Sequence, residues 1–213
     1  MSSTERELTT TSYAILGLLA VRPWSTYELA AQMRRNLHYF WPRAESNVYA
    51  EPKRLVAGGF ARASAEPVGR RRRTVYSMTP KGRRALRTWL AEAPADPRLE
   101  SEALVKLAFA GNGTKADLLA SLRRFREQAE ARRRELRAIF EEYVRGEDPF
   151  PERIHINVVA YRLLWQTAEV ELDWADWAIA EVGRWRDTTT TPKRGRLVRV
   201  LVEALGEHER STF

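Results

Sequence analysis

Four consecutive arginines, Arg70, Arg71, Arg72 and Arg73, are the longest run of like charge in the chain. Lys81, Arg83, Arg84 and Arg87 follow, which makes eight positive charges, and no acidic residue occurs from Pro67 to Ala91. Guanidinium groups in such a run attract and hold phosphate, because each is permanently charged and offers a planar fan of donors. A charge run can also be a merely solvated face. Here it falls on a turn and on the helix after it, with nothing nearby in sequence to neutralise it, so the expected partner is nucleic acid.

No other set of residues has the spacing of a reactive centre. His38, His155 and His208 stand far apart, without ligand spacing. The chain has no Cys, which excludes disulfides, thiolate metal sites and a cysteine nucleophile and fits a reducing cytoplasm. No phosphate-binding glycine loop, nucleophile elbow or metal-binding helix pair is present. Gly111-Asn112-Gly113 follows no strand and reads as a helix stop. The expectation is therefore no enzymatic activity, no cofactor and no metal. A signal peptide or membrane span is not expected either: the longest purely apolar run, Ala14 to Val21, has eight residues, against the about 20 that cross a bilayer.

Charge divides the chain. Residues 1–91 carry sixteen Lys and Arg against six Asp and Glu, and residues 92–213 carry twenty against twenty-two, together the +8 of the whole. A polyanion should thus meet the first part. The arginines need elements to hold them, and these are legible. Thr9 to Val21 reads as a helix with Ile15, Leu16, Leu18 and Leu19 as core, ended by Pro23. Ser25-Thr26-Tyr27-Glu28 is a capping box opening a helix to about Asn36, which buries Leu29, Ala30 and Met33. Tyr39, Phe40 and Trp41 form an aromatic connector. Ala44 to Gly58 reads as a third helix, with Ser46 as N-cap and Gly58-Gly59 as stop. Phe60 to Glu66 and Arg72 to Met78 read as two strands, Arg73, Val75 and Ser77 facing one way and Thr74, Tyr76 and Met78 the other. Pro67 to Arg71 is the turn between them. Thr79-Pro80 opens a helix to Leu90 with Ala85, Leu86, Trp89 and Leu90 as its apolar stripe.

Three helices followed by a ribbon make a winged helix-turn-helix, whose third helix enters the major groove. With Val48, Pro52 and Leu55 taken as its buried side, steps of about 100° put Ser46, Asn47, Ala50, Lys53 and Arg54 on the outer face. Asparagine suits a bidentate contact with adenine, lysine guanine or phosphate, and alanine a thymine methyl.

The remainder is helical. Pro94 to Pro97 reads as a short, stiff linker that should hold the two parts in a defined relation. Leu99 to Ala110 is expected as a helix with Leu104, Leu107 and Ala108 inside. A long helix from Lys115 to Arg145 follows, and Leu118, Leu122, Phe125, Ala129, Arg132, Leu136, Ile139 and Tyr143 recur along it four and three apart. This is a coiled-coil seam broken only by Arg132, and it calls for a partner. After Pro149-Phe150-Pro151 comes another helical stretch, Ile154 to Trp185, with Trp165, Trp174 and Trp177. Asp187 to Pro192 reads as a second linker, and Leu197, Val198, Leu201 and Leu205 as a short amphipathic helix with Arg196 and Arg199 on its polar side.

Tyr13-Ala-Ile-Leu-Gly-Leu-Leu, Thr26-Tyr-Glu-Leu, Trp41, Ser46-Asn-Val-Tyr49, Arg54-Leu55, Gly59-Phe60, and Arg72-Arg73-Thr-Val-Tyr76-Ser-Met-Thr79-Pro-Lys-Gly82 with Trp89 together resemble the PadR family of bacterial transcriptional regulators. Two positions depart from the family pattern. Thr26 stands where glycine is usual, and Pro52 where leucine is usual, inside the third helix, so that a kink or a tightened first turn is expected there. Glu100 to Ala110 resembles the opening of the family's C-terminal helical dimerisation domain.

The resemblance implies a cytoplasmic homodimer that binds double-stranded DNA, represses transcription and releases on binding a small molecule. The expected fold is mainly α: a winged helix over 1–93, a helical dimerisation and effector domain over 98–186, and a linker with a short helix over 187–213. DNA contacts are expected from Ser46, Asn47, Tyr49, Ala50, Lys53, Arg54 and Arg70 to Arg73. A planar aromatic effector would lie among Trp165, Trp174 and Trp177, and the dimer interface would use Leu118, Leu122, Phe125, Leu136 and Tyr143. A protein-binding adaptor with an acidic partner, or an enzyme acting on a small aromatic substrate, are the rival readings.

Overall fold

The polar residues that open each helix set the frame. Thr9 caps the first helix, α1 (Thr10–Val21), in a reciprocal box with Ser12, and Ile15, Leu16 and Leu19 lie in the core. In the computed structural model, which describes residues 7–41, 48–68, 71–190, 195, 198–203 and 205, the chain divides into two compact units, Met1–Pro97 and Arg98–Phe213. In the first unit α1 is followed by a two-residue strand, β1 (Trp24–Ser25). Ser25 then caps α2 (Thr26–Gln32), whose Leu29 and Ala30 are buried. Where the sequence predicts one helix to about Asn36, the last turn, Met33–Leu37, is wound wider and closes with His38 N–H on the Met33 carbonyl at 3.0 Å.

The wing consists of β2 (Ala61–Val68) and β3 (Arg71–Met78), antiparallel, with Ala61 opposite Met78 and Val68 opposite Arg71. Two features differ from the expectation. β1 adds a third strand, pairing Trp24 with Tyr76 and Ser25 with Val75, so that β3 is central. The strands also continue through Pro67 and Val68, which narrows the connection from the five residues expected to residues 69 and 70. Pro67 is tolerated because β2 is an edge strand, where the missing N–H breaks no ladder. Val75 and Tyr76 are both buried at the end of β3 that contacts α1 and α2, while Arg72, Arg73 and Thr74, farther out, are exposed.

The last helix of the unit, α4 (Pro80–Ala91), is capped by Thr79, whose hydroxyl accepts the Gly82 N–H at 3.1 Å and donates to the Gly59 carbonyl at 2.7 Å. Trp89 stacks on Tyr13, ring centres 4.7 Å apart. Leu90, expected in the apolar stripe, is exposed, because Ala85, Leu86 and Trp89 already fill the inward face. Gly82 is the tightest position: a Cβ there would sit 2.1 Å from the Phe60 carbonyl oxygen and 3.1 Å from Leu16 Cδ2 and Met78 Cγ. Alanine normally favours a helix over glycine by about 1 kcal/mol. Gly82→Ala should instead lose about 3 kcal/mol through overpacking, read as a fall in urea midpoint, and a midpoint at or above wild type would contradict this packing.

The second unit is a helical hairpin with a short leading helix. Ser101 caps α5 (Glu102–Ala108), which starts three residues later than predicted; Leu104 and Leu107 are half-buried, while Ala108 is exposed. Thr114 and Asp117 form the capping box of α6 (Lys115–Val144). Gly146, at φ +71°, ends α6, with its N–H on the Tyr143 carbonyl and the Glu147 N–H on that of Glu142. The chain then reverses through Pro151 into α7 (Ile154–Gly183).

α7 runs antiparallel along α6 and covers its seam. Leu118 and Leu122 meet Ala178 and Val182. Farther along, Phe125 meets Trp174 edge-on at 5.3 Å, Arg126 pairs with Asp176 at 2.6 Å, and Tyr143 meets Tyr161 at 5.8 Å. Arg132, the expected break in the seam, bonds Glu171 on α7. The expected dimer residues Leu118, Leu122, Phe125, Leu136 and Tyr143 are thus satisfied within the chain, because the turn at Gly146 brings back the partner that the apolar periodicity demands. The segment 187–190, expected as plain linker, is folded on itself, Asp187 accepting from Thr189 and Thr190 while the Thr188 hydroxyl donates to the Gly113 carbonyl at 2.9 Å. Residues 198–203 are helical, with Val198, Leu201 and Leu205 exposed; Arg196, Leu197 and Pro192 lie outside the described residues. No helix among the described residues is long and apolar enough to cross a membrane.

Candidate nucleic-acid interface

The third helix of the winged unit, α3 (Glu51–Ala57), carries the candidate interface. Proline sets its start. Pro52 lies in the first turn, where a helix has no use for the missing N–H, so the regular helix, expected from Ala44, begins at Glu51. Its opening bond, from the Arg54 N–H to the Ala50 carbonyl at 3.2 Å, is an ordinary helical one in place of the expected kink or tightened turn. Its end is the predicted one, with Gly59 at φ +72° and Phe60 N–H on the Leu55 carbonyl at 2.8 Å. Val48, Pro52 and Leu55 are buried, and Tyr49, Ala50, Lys53 and Arg54 are exposed, Tyr49 by 59%. Ser46, Asn47 and Arg70 lie outside the described residues, as does the Arg71 side chain.

The four arginines do not share one environment. Arg73 faces Glu66 across the ribbon, their charged ends 3.2 Å apart, and reaches Glu28 at 3.8 Å. Hydrogen bonds from the Ser25 hydroxyl and backbone hold the Glu28 carboxyl below the usual range, and Arg22 and Arg73 add to this. The expectation that nothing neutralises the run is therefore corrected at Arg73: its partners are remote or upstream in sequence and become neighbours only through the sheet register. Lys81 is also spent locally, donating to the Gly58 carbonyl at 3.0 Å and lying over the Phe60 ring at 4.4 Å. Arg72, Arg83, Arg84 and Arg87 are exposed.

Sequence reasoning missed Glu51. It is buried at the start of α3, accepts a hydrogen bond from Ser12 at 2.5 Å, and pairs with Arg54 at 3.3 Å. A glutamate in the first turn of a helix is ordinary, and only a contact across 39 residues marks this one.

The expected tryptophan pocket is not assembled within the chain. Trp165 packs on Phe140 and Trp174 on Phe125, both against α6. They stand nine positions apart on one helix, roughly 13 Å, beyond the reach of one small ring. Trp177 is exposed. Among the described residues no group of His, Cys, Asp and Glu could hold a metal ion.

A family described as "Transcriptional regulator PadR-like family" matches residues 15–88, and "Virulence activator alpha C-term" matches residues 100–182. The negative transcriptional regulator PadR of Bacillus subtilis is 24% identical over 78% of this chain and 91% of its own length. Two crystal structures of that protein share the fold at 20% identity. The one in complex with operator DNA has a TM-score of 0.68 over 82% of this chain and 99% of the other; the one with p-coumaric acid has 0.61 over 87% and 100%. A probable transcriptional regulator of Mycobacterium tuberculosis is 30% identical over 54% of this chain and 67% of its own length. With both units matched in order and a relative this similar, the chain belongs to the PadR-like family of transcriptional regulators.

Proposed function

We propose that this regulator is a cytoplasmic homodimeric repressor without enzymatic activity, which occupies double-stranded operator DNA and leaves it when a small planar aromatic ligand binds. The carrying observation is the exposed face of α3 beside a basic wing, in a family whose Bacillus subtilis member is a negative regulator solved on operator DNA. Ser46, Asn47, Tyr49, Ala50 and Lys53 would read the major groove and its flanks, and Arg70, Arg71 and Arg72 would hold adjacent phosphates. Arg73 contributes less, being paired.

Dimerisation falls to the other side of α7. Ile156, Val159, Leu163, Val170 and Trp177 recur at intervals of three, four and seven and are exposed in the single chain. A second copy covering this stripe would pair the helices and set two α3 helices at half-sites about 34 Å apart or a multiple of it. The p-coumaric acid complex of the relative supports a planar aromatic acid as effector. Trp177 lies on the same stripe, so the site would form between subunits beside it, while Trp165 and Trp174, on the same helix, pack against α6.

Selection of duplexes from random DNA tests this reading. The expected outcome is a two-fold symmetric sequence, bound with at least about a thousandfold preference over scrambled DNA and weakened by p-coumaric acid. Recovery of no common sequence would end it.

A further inference from the structure

Two neighbouring polar residues of α1 hold both ends of the segment that leads into α3. Before the segment, Trp41 Nε1 donates to Thr11 Oγ1 at 3.0 Å; after it, Ser12 Oγ donates to Glu51 Oε1 at 2.5 Å. Thr11 and Ser12 are both buried, Ser12 almost completely. The direction of the second bond follows from its surroundings. The Thr9 N–H already donates to Ser12 Oγ at 2.9 Å, and a carboxylate only accepts, so the serine proton goes to Glu51.

Glu51 is costly where it stands. Its side chain is 7% exposed, and a buried carboxylate is unfavourable unless partners compensate it. Packing alone would be served by an apolar residue. Its second oxygen takes Nη1 of Arg54 at 3.3 Å, one helical turn on, and the Arg54 side chain is 58% exposed. A line of hydrogen bonds thus runs from Thr9 through Ser12 and Glu51 to a guanidinium on the outer face of α3. Lys53, beside it on that face, is exposed as a flexible point charge.

We propose that Glu51 is a specificity-determining positioning residue, which fixes the Arg54 guanidinium in one orientation on α3 so that Arg54 reads a base edge and does not merely bind phosphate. The inference rests on the DNA-binding reading above. A tethered guanidinium presents its donors in a fixed direction, as discrimination between bases requires. The negative charge of Glu51 also offsets the general attraction of Arg54 for the backbone, so its loss should spare nonspecific binding.

The test uses the full-length protein, the duplex recovered by selection, and a scrambled duplex of equal length at one salt concentration. Glu51→Gln keeps the shape and an acceptor for Ser12 but removes the charge. It should lower selected affinity and with it the ratio of selected to scrambled affinity about tenfold, leaving scrambled affinity equal to that of wild type or up to about twofold higher. Arg54→Ala should lower the ratio similarly. The double variant should then be no worse than Arg54→Ala alone, because one residue acts through the other.

Equal losses on both duplexes, additive losses in the double variant, or an unchanged ratio would each overturn the proposal. If Glu51→Gln does not fold, as judged by circular dichroism, Ser12→Ala carries the test. That variant leaves the charge in place and should reduce the ratio in wild type and add nothing to Arg54→Ala; additivity would overturn the proposal. A wild-type protein that selects no sequence removes the DNA reading and this inference together. A wild type that selects while the variants keep its ratio removes only the inference.

Discussion

Between 50 and 200 mM salt, operator affinity is expected to fall by about four decades. If Arg70, Arg71, Arg72 and Lys53 each neutralise one phosphate, a dimer engages about eight, and log affinity falls against log salt with a slope near about −7. A fourfold rise in salt is about 0.6 of a decade, which yields the loss stated. The division within the arginine run sharpens this. Arg72→Ala removes two contacts per dimer and should flatten the slope to about −5. Arg73→Ala should leave it nearly unchanged, since Glu66 and Glu28 already hold that charge. Asn47→Ala should also keep the slope but relax base preference, at a cost of about 1 to 3 kcal/mol per subunit on the operator and little on scrambled DNA. Anisotropy titrations of the three variants at three salt concentrations decide the matter. Equal flattening by Arg72→Ala and Arg73→Ala would show that the ion pair opens on binding and that all four arginines act alike.

How far the sequence reaches is seen at particular residues. Helix starts are legible because a cap is local chemistry: Thr9, Ser25, Thr79 and Thr114 each hold an N–H three residues on. The stop of α3 is legible for the same reason, since Gly59 alone supplies the positive φ. β1 is not, because two residues cannot show alternation and exist as a strand only through pairing with β3. Arg73 reads as free charge until the register sets Glu66 opposite it. The α6 seam shows the deeper limit. Spacing four and three apart establishes that a face is apolar, and it carries no information about which chain covers that face. Ala168, Ala175 and Ala178 on α7, all buried, are small residues that suit close approach to α6, but as alanines in a helix they send no signal of their own.

The same limit makes the largest structural prediction, which contrasts two double substitutions on the two long helices. Leu122→Glu with Leu136→Glu places two carboxylates at positions 0% and 1% exposed. Each loses about 2 to 3 kcal/mol of apolar burial and adds the cost of an unpaired charge, so together they exceed much of the about 5 to 15 kcal/mol that holds a domain. The expected result is loss of the α6 and α7 helical signal in circular dichroism, with no folded monomer. Leu163→Glu with Val170→Glu falls on the exposed stripe of α7, where neither residue supports the hairpin. Helical signal should survive, while two unpaired carboxylates per subunit at the two-fold contact should shift the protein from dimer to monomer at micromolar concentration in sedimentation. Operator affinity should then collapse toward that of one half-site. Should the second pair remain dimeric, the stripe from Ile156 to Trp177 is not the interface. Should the first pair yield a folded monomer, the seam of α6 faces a second chain after all, and the pairing of α6 with α7 inside one chain is wrong.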